Sequence, residues 1–391
     1  MRLRSFSVTN YRSFKDSQKI EFSDGPKNVT AIYGPNGAGK TNLFKAMMFY
    51  RDFIRMSTRF EGQVMRYEDF LLSTSAGKNP TSFEAEMEND DKVYKYGFSL
   101  LLSVVKDEYL KVRNKKDSSF DTVFRRNSMN KEDRYAEKGF GNDLLKRTRP
   151  DALVLTKAWE DNNKYAKDVF DWLNNFNLIS GEQLTALTAK KTMEDSTFKQ
   201  KVLELLRSAD MSIQDLVVST VELPEKFYKD LPFTEEFKAN MDRKSYEVST
   251  LHVIHDENGV VSGVKKFDLV AHESTGTKRF FDMAYPLLDT IENGKILYID
   301  EFENNLHPAE CKLLAKLFED QNNSKKAQLI VNTHCTQLQN QLGKENIRFV
   351  SKNHNEESKI ETAPNYIRND DVSIERKYNK GLLGATPNVR L

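Results

Sequence analysis

The most diagnostic segment of the chain is Gly34-Pro35-Asn36-Gly37-Ala38-Gly39-Lys40-Thr41, because it matches the pattern G-x-x-x-x-G-K-[ST]. The apolar run Val29–Tyr33 precedes it, and Leu43, Phe44 and Met47 follow at helical spacing. A strand, a glycine-rich loop and a helix in this order are typical of a phosphate-binding loop. The alternative is an ordinary glycine-rich turn between a strand and a helix, but the register of all three elements favours the phosphate site.

This loop predicts a binding site for ATP with Mg²⁺. Glycines let backbone N–H groups point into one concavity, and the start of the following helix adds partial positive charge. Lys40 would reach the β- and γ-phosphates, and the Thr41 hydroxyl would bind Mg²⁺. The residues predicted to bind ATP are Asn36, Gly37, Ala38, Gly39, Lys40, Thr41 and Asn42.

A second run ends in two acids and is predicted to complete the site. Residues 296–299 are apolar or aromatic and are followed by Asp300 and Glu301. A buried strand would deliver Asp300 to Mg²⁺, and Glu301 would polarise an attacking water. The next apolar run, residues 328–331, leads to His334, which could sense the γ-phosphate from a strand end. The alternatives are a helix cap after a core strand and a histidine with a structural role.

Composition excludes several classes of protein. The chain has 391 residues, of which 38% are hydrophobic, with 25 Phe and 15 Tyr, so it can bury a sizeable core and is not a disordered chain. Its 59 basic and 58 acidic residues nearly cancel, which gives no sign of a strongly basic nucleic-acid binder. Two cysteines are too few for a disulfide framework or a Cys-rich zinc site. Because no signal peptide or membrane-length apolar run is apparent, we expect a cytoplasmic protein.

Hydrophobic periodicity changes along the chain. Residues 81–112 alternate with period two and are rich in aromatics, which predicts an antiparallel meander. The pattern then becomes helical until about residue 217, and strands alternate with helices after residue 245. We therefore predict an α/β fold with three segments. Residues 1–117 would form ATPase lobe I, residues 118–244 a helical insertion, and residues 245–391 ATPase lobe II.

Three further motifs resemble one superfamily. Residues 273–279, Glu-Ser-Thr-Gly-Thr-Lys-Arg, look like the signature loop of ABC-type ATPases of the RecF/SMC/OLD kind, in the form E-S-x-G-T-x-R. Residues 302–308 are similar to the D-loop of that group, and residues 6–14, Phe-x-Val-x-Asn-Tyr-Arg-Ser-Phe, to its opening strand. The resemblance implies an ABC-type P-loop ATPase head with an antiparallel β subdomain. The chain departs from the superfamily pattern in lacking a convincing Q-loop glutamine, for which Gln63 is a weak candidate.

Within that superfamily, the chain resembles the AbiL- and RloA-like AAA family ATPases of bacterial phage-defence, or abortive-infection, systems. The resemblance covers nearly the whole chain and includes residues 205–215 and the tail at residues 378–387. It implies a sensor ATPase that acts with a separate effector nuclease. Residues 340–391 are too few for a TOPRIM nuclease domain of the chain's own.

The resemblance also implies a composite ATP site. In ABC-type ATPases the signature loop of one protomer closes on the nucleotide of another, so Ser274, Gly276 and Thr277 would act in trans in a homodimer or higher oligomer. The alternative is a polar turn in which Ser274 or Thr275 caps the following helix. Capping and phosphate contact use the same geometry, so both can hold.

Two other functions remain open at this stage. A RecF-like DNA-repair ATPase would clamp double-stranded DNA, and a transporter ATPase subunit would need a membrane partner; the large insertion disfavours the transporter. The insertion itself is predicted to form a compact lobe that docks a partner or another protomer. The basic residues that could meet DNA phosphates are Lys111, Arg113, Lys115, Lys116, Arg125, Arg126, Lys146, Arg147 and Arg149.

Overall fold

The computed structural model describes most of the chain. The described residues are 1–23, 25–59, 65–89, 91–128, 135–136, 139–181, 184–224, 244–319, 321–363, 373–383 and 386. The residues outside these ranges include Gln63, residues 225–243, and Gly384, Ala385 and Pro387 of the tail motif.

Strands form where the sequence alternates apolar and polar residues or runs apolar. In chain order, the strands of the described residues are β1 (Arg2–Thr9), β2 (Gln18–Glu21), β3 (Val29–Tyr33), β4 (Thr81–Asn89), β5 (Lys92–Leu101), β6 (Val104–Asn114), β7 (Asp121–Asn127), β8 (Tyr135–Ala136), β9 (Phe176–Ser180), β10 (Asp215–Glu222), β11 (Lys244–His255), β12 (Val261–Asp268), β13 (Ile296–Asp300), β14 (Gln328–Asn332), β15 (Ile347–Lys352) and β16 (Ser358–Thr362).

The helices follow the segments with helical periodicity. In the same ranges they are α1 (Lys40–Met56), α2 (Asn142–Arg147), α3 (Val154–Glu160), α4 (Lys164–Asn174), α5 (Thr185–Glu194), α6 (Ser196–Ser208), α7 (Leu269–His272), α8 (Thr275–Asn293), α9 (Pro308–Lys316), α10 (Gln337–Leu342) and α11 (Ile374–Asn379), with a 3₁₀ turn at Lys344–Asn346.

The chain divides into two compact units. The first comprises residues 1–180, 290–303 and 314–391, and the second comprises residues 181–289 and 304–313. The first unit contains a seven-stranded antiparallel sheet of order β2-β1-β4-β5-β6-β7-β8 and a six-stranded sheet of order β16-β15-β3-β14-β13-β9. In the second sheet, β9, β13, β14, β3 and β15 are parallel, and only β16 runs antiparallel.

The parallel sheet positions the site. Every residue of β3, β13 and β14 is buried, as expected for strands covered on both faces. Because these strands are parallel, their carboxyl ends share one edge, where open α/β sheets bind ligands. The phosphate loop follows β3, the two acids end β13, and His334 follows β14. Sequence-distant residues therefore reach the same edge.

Helix α1 lies between the two sheets and builds the core of the first unit. Phe44 packs edge-on against Tyr298 of the parallel sheet, with ring centroids 5.1 Å apart. On its other side, Tyr50 stacks on Phe98 of the antiparallel sheet at 5.6 Å. Burying aromatic side chains on both faces contributes most of the stabilisation of such a helix. The phosphate loop is thereby attached to a helix held from two sides.

The second unit contains the antiparallel sheet β10-β11-β12 with helices α5, α6 and α7 and the first part of α8. Paired positions such as Val218 and Val248 share one face of the sheet, and Leu216 and Val248 are buried there. A turn at residues 256–259 connects β11 to β12.

The predicted α/β fold with an antiparallel β subdomain is confirmed by the parallel and antiparallel sheets, but the compact units do not coincide with the predicted segments. Residues 118–180 were assigned to the insertion, yet β7 and β8 extend the antiparallel sheet and β9 pairs with β13. Residues 245–289, predicted in lobe II, belong to the second unit. Short strands among helices are hard to recognise from periodicity, because five residues hold few repeats.

Within the described ranges, no helix is both long and apolar enough to cross a membrane.

Candidate ATPase active site

The phosphate loop needs its glycines for close backbone packing. A Cβ at Gly34 would lie 2.1 Å from the carbonyl oxygen of Val350. Gly39 has φ +120°, and a Cβ there would lie 2.4 Å from Ser358 Oγ. Any larger residue at either position would push the loop away from strands that support it. The loop conformation is therefore specified by packing as well as by its sequence.

Two serines that are distant in sequence, Ser13 and Ser358, support the phosphate loop through hydrogen bonds. Ser358 Oγ donates to the carbonyl of Ala38 at 2.6 Å and lies 2.7 Å from Ser13 Oγ. Asn42 Nδ2 in turn donates to Ser13 Oγ at 2.8 Å. The segment of residues 6–14 that resembles an opening strand thus contacts the phosphate loop through Ser13.

Lys40 points back over its own loop. Its ammonium donates to the carbonyl of Gly34 at 2.7 Å and lies 3.1 Å from His334 Nε2. Burial lowers the pKa of Lys40 from its ordinary value of 10.5, while the nearby carboxylates of Glu303, Asp300 and Glu301 oppose this shift. Lys40 is thus a half-buried cation close to the position where phosphates would bind.

Asp300 ends β13 almost completely buried, with 3% of its surface exposed. Asn332, at the end of β14, donates from Nδ2 to Asp300 Oδ1 at 2.6 Å and to the carbonyl of Lys40 at 3.0 Å. Tyr298 donates its hydroxyl to Asn332 Oδ1 at 2.9 Å, which fixes the amide orientation. Asn332 therefore joins the acidic strand to the phosphate loop, a role that the sequence did not reveal.

Glu301 is exposed and lines a cavity together with Lys40 and Asp300. Its backbone is left-handed, with φ +54°. A residue with a side chain pays of order 1 kcal/mol for this conformation. The next residue, Phe302, is fully buried and donates its N–H to the carbonyl of Asn332 at 3.0 Å. This anchored neighbour holds the turn that directs Glu301 away from the core.

Glu303 was not predicted from the sequence, although it holds the histidine loop. Its Oε2 accepts from Thr333 Oγ1 at 2.6 Å, and its Oε1 accepts from the backbone N–H of His334 at 2.9 Å. The available signal was an acid two residues beyond Glu301, in the same turn after β13. Both oxygens of Glu303 are thus engaged with the segment that carries His334.

His334 lies at the carboxyl end of β14. Burial lowers its pKa from the ordinary value of 6.5, and the Lys40 cation lowers it further. Glu303 and Glu301 act in the opposite direction. At pH 7 the imidazole is therefore neutral, and its Nε2 can accept a hydrogen bond.

These groups surround one cavity of about 250 Å³. It is lined by Pro35, Asn36, Gly37, Ala38, Gly39, Lys40, Thr41, Asn42, Asp300, Glu301, Glu303, Asn332, Thr333 and His334. Within one protomer, the residues predicted to bind ATP, to bind Mg²⁺ and to act in hydrolysis therefore line the same cavity.

The donor set suits Mg²⁺ in the presence of phosphates. The hydroxyl of Thr41 and the carboxylate of Asp300 are hard oxygen ligands, and both line the cavity. No cluster of three or more His, Cys, Asp or Glu side chains that could hold a metal ion occurs among the described residues.

The signature segment belongs to the second unit and begins α8. Ser274 Oγ accepts from the backbone N–H of Thr277 at 3.0 Å and lies 2.9 Å from Thr277 Oγ1. Ser274 is thus the helix cap. A Cβ at Gly276 would lie 3.1 Å from the carbonyl oxygen of Asn305, so the start of the helix closely approaches the D-loop segment. Contact with a nucleotide remains a prediction.

Most of the basic side chains considered for DNA are paired with acids. Arg126 forms a buried ion pair with Glu108 at 2.9 Å. Lys115 lies 2.8 Å from Glu88. The other pairs are Arg113 with Glu86, Arg125 with Asp107, Arg147 with Asp143, and Arg149 with Asp151. These carboxylates offset the positive charge that a DNA backbone would require.

Comparison with known proteins gives one family. The model of the family described as "AAA domain, putative AbiEii toxin, Type IV TA system" matches residues 29–338. The "Retron Vc95 probable ATPase" of Vibrio cholerae serotype O1 biovar El Tor is 23% identical over 399 residues, which cover 90% of this chain and 74% of that protein.

Two shorter or weaker similarities concern SMC proteins. The chromosome partition protein Smc of Lactiplantibacillus plantarum is 43% identical over 47 residues, 12% of this chain and 4% of that protein. The solved SMC head domain from Thermotoga maritima aligns with 93% of this chain and 100% of its own, at 15% identity and a TM-score of 0.44.

Proposed function

The chain belongs to the AAA domain family described above as "putative AbiEii toxin, Type IV TA system", and we propose that it is an ATP-hydrolysing switch of the ABC type. One observation carries this proposal. The phosphate loop, the acids that end β13 and the histidine after β14 line the same cavity, although they are separated by up to about 300 residues in sequence. Such convergence provides charge neutralisation, a base and an orienting group at one point.

Each residue has a distinct role in this proposal. The ammonium of Lys40 moves from the carbonyl of Gly34 to the β- and γ-phosphates. Thr41 and Asp300 would hold Mg²⁺, which when bound would supply neutralisation of charge on the phosphate oxygens. Glu301 accepts a hydrogen bond from the attacking water, and His334 contacts the γ-phosphate from the opposite wall. Asn332 keeps the phosphate loop and Asp300 in register.

The site is completed by a second copy of the chain. In each protomer Ser274 and the backbone N–H groups at the start of α8 form an anion-binding end, and helix N-termini favour phosphate. ATP would then join two protomers through two composite sites, and hydrolysis would release them. A homodimer is the smallest assembly that satisfies both sites.

We further propose that the switch serves anti-phage defence with a separate effector nuclease. Membership of a family named for a toxin–antitoxin system, together with the similarity to a retron ATPase, supports a regulatory partner protein. In this role, a phage trigger changes the ATP-bound assembly, and that change restrains or releases the effector. Copurification from native cells, followed by nuclease assays with and without the ATPase, tests this point. Nuclease activity by the chain alone would contradict it.

The test of the ATPase proposal compares wild type with Glu301→Gln, each with and without Mg·ATP. We expect Glu301→Gln to lose phosphate release and to gain an ATP-dependent assembly, measured as mass in solution. Lys40→Ala should show neither binding nor assembly. A mass that ignores ATP while hydrolysis persists would contradict the composite site.

The alternative function, a RecF-like clamp on double-stranded DNA, is disfavoured by the ion pairs of its basic residues. Glu88 and Glu108 each lie within hydrogen-bond distance of one of these cations. A clamp would show a steep dependence of affinity on salt in the presence of ATP. We expect weak binding with a shallow salt dependence.

A further inference from the structure

The residue that precedes the signature serine is held by a strand of the second unit. Glu273 Oε1 accepts a hydrogen bond from His252 Nε2 at 2.7 Å and another from Thr250 Oγ1 at 2.5 Å. Because an ionised carboxylate only accepts, the imidazole must carry its proton on Nε2. Both donors lie on β11, two positions apart, so they emerge from the same face of the strand. One carboxylate oxygen therefore ties the loop to β11.

This contact is well shielded. Thr250 is fully buried, and 13% of the side-chain surface of Glu273 and 27% of that of His252 is exposed. Hydrogen bonds to a charged group are roughly twice as strong as neutral ones, and low exposure reduces competition from water. A fully exposed ion pair would contribute little stabilisation. This shielded contact is strong enough to order the loop that carries Ser274.

An aromatic ring fixes the imidazole from the side. Phe267 on β12 meets His252 edge-on, with centroids 5.3 Å apart, and also meets His272 edge-on at 5.6 Å. His272 ends the short segment that connects β12 to Glu273, so Phe267 contacts both that segment and β11. The orientation of His252 is therefore determined by packing as well as by its hydrogen bond.

The loop has an anchor on each side of the signature serine. On the carboxyl side, Ser274 caps α8 through the N–H of Thr277, and its carbonyl accepts from the N–H of Lys278 at 3.1 Å. On the amino side, Glu273 is held by β11. The position of Ser274 thus depends on the strand as much as on the helix.

We propose that Thr250 and His252 are positioning residues for the composite ATP site, and that they act by holding Glu273. The inference rests on the proposed function, since it assigns to Ser274 a nucleotide on a second protomer. It implies that an event which displaces β11 alters ATP-dependent assembly without touching the phosphate loop.

The first experiment uses full-length Glu301→Gln as the parent and adds substitutions on β11. We expect His252→Phe and Thr250→Val each to reduce ATP-dependent assembly by about tenfold or more, with the affinity of the monomer for a fluorescent ATP analogue changed less than about twofold. His252→Gln, which keeps a donor near the position of Nε2, should retain most of the assembly. His255→Gln, exposed on the same strand, is the matched control and should behave as the parent.

Hydrogen exchange tests the positioning without any dimer. In the nucleotide-free monomer, His252→Phe should accelerate exchange of the amides of Thr277 and Lys278 by about tenfold, and His252→Gln should not. Unchanged exchange together with unchanged assembly would overturn the inference. If Glu301→Gln alone does not assemble with ATP, the proposed function fails, and faster exchange would then show only that β11 orders this loop, which would also overturn the assigned role.

Discussion

The ammonium of Lys40 lies 3.1 Å from Nε2 of His334, so the cation of the phosphate loop and the histidine of a distant strand form one contact. Two positive charges at this distance would repel, and the Lys40 cation accordingly lowers the pKa of His334. The imidazole therefore stays neutral and accepts from Lys40. The pKa of His334 therefore depends on the position of the Lys40 ammonium in the phosphate loop.

Replacing Lys40 should change the titration of His334. Burial and the Lys40 cation both lower the pKa of His334 below 6.5, so Lys40→Met should raise it. NMR titration of the imidazole measures this directly. Lys45→Met, on the same helix, is the control and should leave the value unchanged. A lower pKa in Lys40→Met would contradict the contact.

Stability should respond to pH through the same histidine. Because the folded state has the lower pKa, the unfolded chain takes up the proton first, and the free energy of unfolding falls as pH drops through about 6.5. In His334→Gln no group titrates at this position, so the free energy of unfolding lacks this pH-dependent contribution. Denaturant titrations between pH 7.5 and 5 should therefore show a steeper loss for wild type than for His334→Gln. Parallel losses would mean that His334 has an ordinary pKa.

Removing Glu303 should impair catalysis more than binding. The carboxylate holds Thr333 and the backbone of His334, and its loss frees the loop that contacts the γ-phosphate. We expect Glu303→Ala to lower kcat by about tenfold or more with a smaller change in KM, because misplaced groups lose transition-state stabilisation. Glu356→Ala, an exposed acid, is the control. An unchanged kcat would remove Glu303 from the site.

The buried ion pair between Glu108 and Arg126 should dominate the stability of the meander. Glu108 also accepts from the backbone N–H groups of Val154 and Leu155, so it joins β6 to the start of α3. Breaking a buried pair costs about 3–5 kcal/mol, so Arg126→Met should lower the midpoint of denaturation strongly. Arg147→Met, which breaks an exposed pair with Asp143, should cost less than about 1 kcal/mol.

Helix α8 contains Pro286, which cannot donate to the carbonyl of Asp282. Thr188 of α5 lies in the gap, since its Oγ1 donates to that carbonyl at 3.4 Å and accepts from the N–H of Tyr285 at 3.3 Å. Thr188→Val should therefore destabilise the protein by about 1 kcal/mol. In a Pro286→Ala background the restored N–H should reduce that cost. A double-mutant cycle with no coupling would contradict this arrangement.

Local motifs were predictable from the sequence, whereas contacts between them were not. Lys40 and Asp300 could be assigned because each lies beside a buried strand in a recognisable order. Asn332 could not, since its role depends on a hydrogen bond to a residue 32 positions away. Strand β9 was missed for a similar reason, because it acquires its strand character by pairing with β13 after a stretch with helical periodicity.

The central claim is that each ATP site combines the phosphate loop of one protomer with Ser274 of another, and complementation tests it most directly. Lys40→Ala removes binding in its own loop, and Ser274→Asp keeps a helix cap but places a carboxylate against the partner's γ-phosphate. Each variant alone should be inactive. Mixed in equal amounts they form a site from the intact loop of one and the intact serine of the other, so phosphate release should return to a substantial fraction of wild type. Inactivity of the mixture, with both variants folded, would contradict the composite site.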